Sequence, residues 1–140
     1  MTEKNKPGGK SKKKKILFIL NFFEGGGIER VVLTLADHFY KKNVEVHVII
    51  VGKFKKNDYD IPDYIKIYHP TPGHKINSIP IIRFSYKLYQ AYKLSFLLKS
   101  LHKKYGRFDL ILRYVRAPMP RFIFRNFIEN NNIFTWIHQD

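Results

Sequence analysis

The fold is decided by residues 15–30, which read KILFILNFFEGGGIER. Residues 16–20 form an unbroken apolar run, as expected of a strand that is buried on both faces of a parallel sheet. Three consecutive glycines follow, and glycine tolerates positive φ and lets backbone N–H groups approach a ligand closely. Apolar residues then recur at helical spacing from Ile28 to Phe39. The stretch therefore predicts a strand, a glycine loop and the start of a helix.

The glycine loop has two interpretations. A glycine turn that leads into a helix is a natural anion site, because the free N–H groups and the helix dipole point the same way. Gly25, Gly26 and Gly27 are then candidate phosphate ligands, and Arg30 is a candidate partner for a phosphate or a carboxylate. In the other interpretation the glycines only allow a tight turn, and the helix dipole alone explains Glu29. The pattern is neither the G-x-G-x-x-G fingerprint nor a P-loop, since no Gly-Lys-Ser/Thr follows.

Strand and helix patterns alternate through the rest of the chain. We predict helices over residues 28–42, ended by Asn43, over residues 79–105, ended by Gly106, and over residues 117–130. We predict strands over residues 44–51, 64–69, 108–114 and 133–138. This order predicts an α/β fold, a Rossmann-like, mostly parallel sheet with helices on both faces. Residues 15–140 form this one domain, and residues 1–14 are predicted to be a basic, disordered tail.

The predicted topology brings several candidate residues to one edge of the sheet. Ligands of such sheets bind outside the carboxyl ends of the strands. The glycine loop, Arg113 and Arg116 around the end of the fourth strand, and His138 at the end of the fifth would all lie there. The two arginines could steer a phosphate, although surface arginines are common. His138 could equally be an ordinary histidine at a strand end.

The chain is strongly basic, with a formal net charge of +15. Seven lysines against one glutamate in residues 1–15 contribute +6, which leaves +9 for the body of the domain. A basic body predicts attraction to an anionic membrane, to nucleic acid or to phosphorylated substrates. The bases are dispersed, and no helix-turn-helix, RNA-recognition or zinc motif accompanies them, which argues against nucleic acid as a partner.

Other function classes are excluded by the residues that are missing. The chain has no cysteine, so disulfides and thiolate catalysis are excluded, and a cytoplasmic location is compatible with this composition. No apolar run approaches the ~20 residues that a spanning helix needs. The histidines lack the spacing of zinc ligands, and there is no Asp-x-Asp motif, so no metal and no cofactor are expected.

The long helix at residues 79–105 combines an apolar stripe with a basic, aromatic face. The stripe that we predict to be buried consists of Phe84, Leu88, Ala91, Leu94 or Ser95, Leu98 and Leu101. Arg83, Lys87, Lys93 and Lys99 accompany aromatic residues and are candidate membrane-facing residues, which would place the protein peripherally on the inner membrane. The alternative is an ordinary solvated basic face.

Several of these segments together resemble a known family. Residues 15–18, the GGGIERV segment at 25–31, the leucines and alanine of 33–36 and the NVEVHV segment at 43–48 resemble the opening of bacterial family 4 glycosyltransferases. The strands at 108–111 and 135–138 also fall where that domain has them. The resemblance implies the GT-B fold, in which two Rossmann-like domains face each other across a cleft, and it identifies this chain with the N-terminal, acceptor-side domain.

The resemblance also implies a reaction. A sugar would pass from a nucleotide-diphosphate sugar to a lipid-linked or saccharide acceptor in the synthesis of surface polysaccharide or lipopolysaccharide. The glycine loop would approach the donor phosphates across the cleft, and His138 matches a histidine at the reaction centre. No metal is usually required in this family.

The main departure from the family concerns the second domain. The nucleotide pocket and the Glu-x7-Glu motif of retaining members belong to a C-terminal domain that the 140 residues do not contain. We therefore expect a fragment, a truncated gene product or half of a split enzyme with a separate C-terminal half as its partner, inactive alone. Two other functions stay open: a basic nucleic-acid-binding protein, and a non-catalytic subunit that recruits a split glycosyltransferase to the membrane.

Overall fold

The computed structural model describes residues 12–24, 26–54, 60–70, 79–114 and 133–136. Within them the elements are β1 (Lys15–Leu20), α1 (Gly27–Lys41), β2 (Glu45–Ile50), β3 (Ile65–Tyr68), α2 (Pro80–Tyr105), β4 (Leu110–Tyr114) and β5 (Ile133–Trp136). The five strands form one parallel sheet in the order β3-β2-β1-β4-β5, which is the order of doubly wound, Rossmann-like sheets. The predicted α/β fold is confirmed, with element ends shifted by one or two residues. The predicted helix at 117–130, the last two residues of the predicted strand at 133–138 and residues 1–11 of the tail lie outside the described residues.

The central strand β1 is buried on both faces. Leu17 and Ile19 belong to the core on one side of the sheet, and Phe18 and Leu20 belong to the core on the other. All four side chains are almost completely inaccessible to solvent. Each apolar side chain of this size contributes about 1.5–3 kcal/mol when it is fully buried. Because the four side chains are divided between the two faces, β1 stabilises both cores.

The two described helices cover opposite faces of the sheet. In α1, Val32 and Ala36 are buried in the core that contains Phe18. In α2, Leu94 and Leu98 are buried in the core that contains Leu17 and Ile19. The sheet therefore separates two apolar layers, as the alternation of strands and helices predicts.

Both helices end where the sequence predicts. Asn43, just after α1, has φ 59°, and Gly106, just after α2, has φ 77°. Asn43 lies in the left-handed region that asparagine tolerates after a helix. Gly106 combines its positive φ with ψ −157°, a conformation that is essentially confined to glycine. The N–H of Gly106 donates to the carbonyl of His102, which completes the end of α2.

Helix α2 is much longer than the sheet it covers. Its 26 residues extend about 39 Å, whereas the six residues of β1 extend about 20 Å. The ammonium of Lys15, at the start of β1, donates to the carbonyl of Tyr105 and fixes the end of α2 at the amino edge of the sheet. The side-chain amide of Gln90 donates to the carbonyl of Val51, just past β2, at 3.4 Å. Residues 80–89 of α2, hereafter the overhang, therefore project beyond the carboxyl edge.

The overhang corrects the predicted buried stripe of α2. Ala91, Leu94, Leu98 and Leu101 are buried as expected. Phe84 is 65% exposed and Leu88 is 48% exposed, so the prediction was wrong for these two residues. The periodicity gives the direction in which a side chain points, but no sheet lies beneath the first three turns of this helix.

A buried histidine ties β2 to β3 and to the end of α2. His47 is completely buried, packed edge-on against Tyr105 and Phe108 at ring centroid distances of 4.7 and 5.1 Å. The carboxylate of Glu45 can only accept, so Nε2 of His47 donates to it at 2.8 Å, and Nδ1 accepts from the hydroxyl of Tyr68 at 3.1 Å. Burial lowers the pKa of His47 to about 4, and the contact with Glu45 at neutral pH is therefore a hydrogen bond from a neutral imidazole rather than an ion pair.

The depressed pKa of His47 predicts a loss of stability in weak acid. Unfolded histidine titrates near 6.5, so between pH 6.5 and about 4 the unfolded chain binds more protons at this position than the folded chain does. The free energy of unfolding should fall as pH decreases through this window, by at most about 1.4 kcal/mol per pH unit from this group. Denaturant unfolding at pH 7 and pH 5 measures the effect.

Two histidine variants provide the comparison. The variant His47→Gln should lack this part of the pH dependence, although it is less stable at pH 7. The control variant His38→Gln, at an exposed position of α1, should keep the full dependence. Equal pH slopes for the wild type and His47→Gln would contradict the assignment of the slope to His47.

Candidate functional site

The candidate site lies at the carboxyl ends of β1 and β4, where the topology of the sheet changes direction. β1 pairs with β2 on one side and with β4 on the other, and the helices that follow β1 and β3 cover opposite faces. A crevice at this position is the usual ligand site of doubly wound sheets. Of the predicted site residues, Gly25, Arg116 and His138 lie outside the described residues. Gly26, Gly27, Arg30 and Arg113 are described.

The chain that enters the glycine loop is held against the end of β2. The N–H of Phe23 donates to the carbonyl of Lys53 at 2.9 Å, and the N–H of Gly52 donates to the carbonyl of Asn21 at 2.8 Å. A Cβ on Gly52 would lie 2.4 Å from the carbonyl oxygen of Asn21, so no larger residue fits there without moving the backbone. His69 donates from Nε2 to the carbonyl of Gly52 at 2.7 Å. The fold therefore requires glycine at position 52.

Gly26 and Gly27 do not use the positive φ that glycine allows. Gly26 is the N-cap of α1 with φ −97° and ψ −176°, and Gly27 is the first residue of the helix; neither has positive φ. The chain enters α1 from extended backbone at Gly26, so the interpretation as a tight turn gains no support at these two positions. Among the described residues, no atom lies within 4 Å of the place that a Cβ on Gly27 would occupy. Neither a tight turn nor packing in the described structure explains glycine at position 27.

The carboxylate of Glu29 turns back onto the glycine loop. Glu29 is buried, and its Oε1 accepts the N–H of Glu24 at 3.1 Å. Its Oε2 lies 3.0 Å from the place that a Cβ on Gly26 would occupy. Glu29 therefore has a structural role in holding the glycine loop, which the helix dipole alone does not indicate. The loop combines a fixed hydrogen-bond acceptor with the amides at the start of α1, which suits a ligand that has both hydroxyl and anionic groups.

Two of the predicted cations, Arg113 and Arg30, lie on opposite faces of the sheet. Arg113 is in register with Ile19 and therefore points to the face that α2 covers. It is half-buried, and burial lowers the pKa of its guanidinium, which nevertheless stays charged at neutral pH. Arg30 is exposed on α1, and its carbonyl accepts from the hydroxyl of Thr34 at 2.8 Å. Arg113 borders the crevice at the end of β4, whereas Arg30 extends from the first turn of the opposite helix.

The four candidate membrane-facing cations are distributed along α2. Arg83 and Lys87 are exposed in the overhang, and Lys99 is exposed in the last third of the helix. Lys93 is half-buried, with its ammonium 5.5 Å from the centre of the Tyr89 ring. At 100° per residue, Arg83 and Lys87 continue the line of the buried residues, whereas Lys99 lies on the outer side of the helix. The sequence pattern predicted aromatic residues beside these cations, and Tyr89 and Phe96 are indeed exposed, but it placed Phe84 and Leu88 on the stripe of the buried residues.

Comparisons with known proteins do not identify the chain. No protein-family model matches it, and no curated protein and no solved structure is significantly similar to it. Within the described ranges, no three histidine or acidic side chains are grouped as metal ligands. No helix in the same ranges has the length and apolarity that crossing a bilayer requires. The features that bear on function are the geometry of the carboxyl edge and the motifs at residues 15–18, 25–31 and 43–48.

The contrast between Gly52 and Gly27 gives a direct stability test. Gly52→Ala should destabilise the domain by about 1–3 kcal/mol, since its Cβ would clash with the backbone of Asn21. Gly27→Ala should leave stability unchanged or raise it by up to about 1 kcal/mol, since alanine favours a helix and meets open space. Thermal and denaturant unfolding of both variants measure the difference. A large loss of stability in Gly27→Ala would show that the fold needs this glycine.

Proposed function

We propose that residues 15–140 form the acceptor-side, Rossmann-like half of a glycosyltransferase with the GT-B architecture. The reaction is transfer of a sugar from a nucleotide-diphosphate sugar to a lipid-linked or saccharide acceptor, in the synthesis of surface polysaccharide or lipopolysaccharide. The motifs at residues 15–18, 25–31 and 43–48 support this proposal, as does the doubly wound strand order. The proposal implies a donor-binding domain opposite the carboxyl edge.

The observation that carries the proposal is the open space beside Gly27. The residue has an ordinary helical conformation, and its missing side chain leaves nothing to be filled in the described structure. It begins a 15-residue helix at the carboxyl end of the central strand. A glycine at such a position is explained by the close approach of a ligand to the backbone, and the amides of a helix start favour a phosphate.

The chemistry assigned to this edge is stabilisation of charge. When a sugar leaves a nucleotide diphosphate, negative charge grows on the leaving phosphate. The amides at the start of α1 and the guanidinium of Arg113 would stabilise that charge without reorganising. Glu29, fixed beside the loop, would accept a hydrogen bond from a sugar hydroxyl. His138 and Arg116, which lie outside the described residues, keep in this proposal the roles that the sequence predicts for them.

A second candidate is a non-catalytic subunit that brings a separate donor-binding half to a membrane. The exposed apolar and basic overhang of α2 favours it, because catalysis itself does not require such a surface. Both candidates place a partner domain across the carboxyl edge. Mutations at the carboxyl edge should impair sugar transfer if this domain takes part in catalysis. They should leave sugar transfer intact if the domain only recruits the other half to a membrane.

The catalytic prediction concerns the 140 residues alone. We expect no sugar transfer and no donor hydrolysis by the isolated polypeptide, because the nucleotide pocket of the family lies in the other domain. A radiolabelled-donor assay over a panel of nucleotide-diphosphate sugars measures this. Clear turnover by the isolated chain would contradict the assignment of residues 15–140 to one half of the enzyme.

Weak binding of the donor diphosphate should nevertheless be detectable. Gly27→Leu fills the space next to the helix start and should weaken binding of a nucleotide-diphosphate sugar at least about tenfold, by blocking access to the amides. The matched control is Thr34→Leu, which adds a leucine at another exposed position of the same helix and should not change affinity. Calorimetric titration measures both. Equal affinity for the two variants would remove the glycine loop from the proposed site.

A further inference from the structure

The polar cluster at the amino edge of the sheet contains a tyrosine that the fold leaves partly accessible to solvent. Tyr105, the last residue of α2, is half-buried. Its backbone carbonyl accepts from the ammonium of Lys15, and its ring packs edge-on against the buried ring of His47 at a centroid distance of 4.7 Å. The phenol is therefore held in one place, at the edge of the sheet opposite the glycine loop.

Two ammonium groups from different elements lie beside the ring of Tyr105. Nζ of Lys66, on β3, is 4.7 Å from the ring centre, and Nζ of Lys104, on α2, is 5.2 Å from it. Lys66 also donates to the carboxylate of Glu45 at 2.5 Å, and this hydrogen bond raises the pKa of Lys66, which therefore stays charged at neutral pH. Positive charge is thus concentrated around a single phenol.

A chain of hydrogen bonds joins the same phenol to the interior. The hydroxyl of Tyr105 bonds to the hydroxyl of Tyr68, which in turn bonds to Nδ1 of His47 at 3.1 Å. Nε2 of His47 donates to Glu45 at 2.8 Å. In an activated nucleophile, the reacting hydroxyl has a hydrogen-bond partner that further groups hold in position. These four side chains are arranged in this pattern.

The surroundings favour loss of the proton from Tyr105 rather than from Tyr68. The hydrogen bond with Tyr68 lowers the pKa of Tyr105, and the hydrogen bond with Lys104 and the charges of Lys66 and Lys104 lower this pKa further. Burial raises the pKa of Tyr68, which keeps its proton and can donate it to the phenolate of Tyr105. The titratable and charged side chains around the phenol are Lys15 on β1, Glu45 and His47 on β2, Lys66 and Tyr68 on β3, and Lys104 on α2.

We propose that Tyr105 is an activated tyrosine nucleophile and a site of covalent modification by small anionic electrophiles. The phenolate oxygen forms a bond to the electrophilic atom, the leaving group departs with its bonding electrons, and the phenolic proton passes to solvent. The ammonium groups of Lys66 and Lys104 bind the anionic group of the reagent and stay protonated throughout. The inference is independent of the proposed sugar transfer, which is assigned to the other edge of the sheet.

Other tyrosines of α2 provide internal comparisons. Tyr92 is 68% exposed, so accessibility alone favours its modification over that of the half-buried Tyr105. Tyr89 is also exposed, and the ammonium of Lys93 lies 5.5 Å from the centre of its ring. If exposure controls the reaction, Tyr92 reacts fastest. If the surrounding cations and hydrogen bonds control it, Tyr105 reacts fastest.

Competitive labelling of the folded full chain tests the proposal. The anionic probe is an aryl sulfonyl fluoride that carries a carboxylate, and the neutral probe is the same compound with a carboxamide. A sulfur–oxygen bond forms at the tyrosine and fluoride leaves, and peptide mass spectrometry at early times gives the rate at each tyrosine. With the anionic probe, Tyr105 should react at least about fivefold faster than Tyr92. This advantage should shrink with the neutral probe and at high salt, because both remove the attraction to the two lysines.

The pH dependence of labelling separates activation from accessibility. The phenolate is the reacting form, and the pKa of Tyr105 is lowered by its hydrogen bond with Tyr68 and by the neighbouring lysines. The labelling rate of Tyr105 should therefore reach half its maximum at a lower pH than the rate of Tyr92. Identical pH profiles at the two tyrosines would show that Tyr105 is not activated.

Substitutions of lysine test the source of the activation. Lys104→Gln removes one ammonium group from the ring and should slow labelling of Tyr105 about threefold or more, whereas Lys104→Arg keeps the charge and should preserve the rate. The matched control is Lys103→Gln, which removes the same charge from the neighbouring exposed position and should leave the rate nearly unchanged. Tyr105→Phe should abolish labelling of its peptide. Circular dichroism confirms that each variant is folded.

The proposal is overturned by any of three results. In the first, the anionic probe labels Tyr92 or Tyr89 faster than Tyr105. In the second, the probe reacts with the amine of Lys66 or Lys104 in preference to the phenol. In the third, Lys103→Gln slows labelling of Tyr105 as much as Lys104→Gln does.

Discussion

The burial of β1 on both faces is the constraint on which the rest of the structure depends. Its side chains alternate between two cores, so α1 must cover one face and α2 the other. A strand that is central and parallel to both neighbours has its carboxyl end at the point where the connections diverge. The burial of β1 on both faces, rather than local contacts, fixes the positions of the crevice, the glycine loop and the end of β4.

The two edges of the sheet have different properties. At the amino edge, the Lys15 contact with the end of α2 and the hydrogen bonds of His47 join charged and polar groups to each other. At the carboxyl edge, the glycine loop presents the amides of a helix start, and α2 extends past the sheet with apolar side chains exposed. Polar groups with partners stabilise a fold, whereas amides and apolar surface that the fold does not use are available to ligands and partners.

The order of the elements could be predicted from sequence because each element is consistent with its local pattern. The apolar run of β1, the period of α1 and the residues after the two helices, Asn43 and Gly106, all gave element ends within one or two residues. The extent of burial along α2 could not be predicted in this way. Helical periodicity gives the direction of Phe84 and Leu88, but their exposure depends on the length of the strands beneath them.

The candidate site was only partly accessible from sequence. The placement of Gly26, Gly27 and Arg113 near one edge follows from topology, but the conformation of the glycines does not. Triple glycine indicates conformational freedom, whereas the structure uses ordinary backbone at Gly26 and Gly27 and needs glycine instead at Gly52. The return of Glu29 to the amide of Glu24 is a contact across the loop that no spacing rule indicates.

Amide chemical-shift mapping of the ¹⁵N-labelled chain with a nucleotide-diphosphate sugar tests the central claim most directly. The account predicts that the largest perturbations occur at Gly26, Gly27 and Ile28, with a smaller group around Arg113. Perturbations centred on His47 and Tyr105 at the amino edge, or a spectrum in which Gly27 does not respond at saturating ligand, would contradict it.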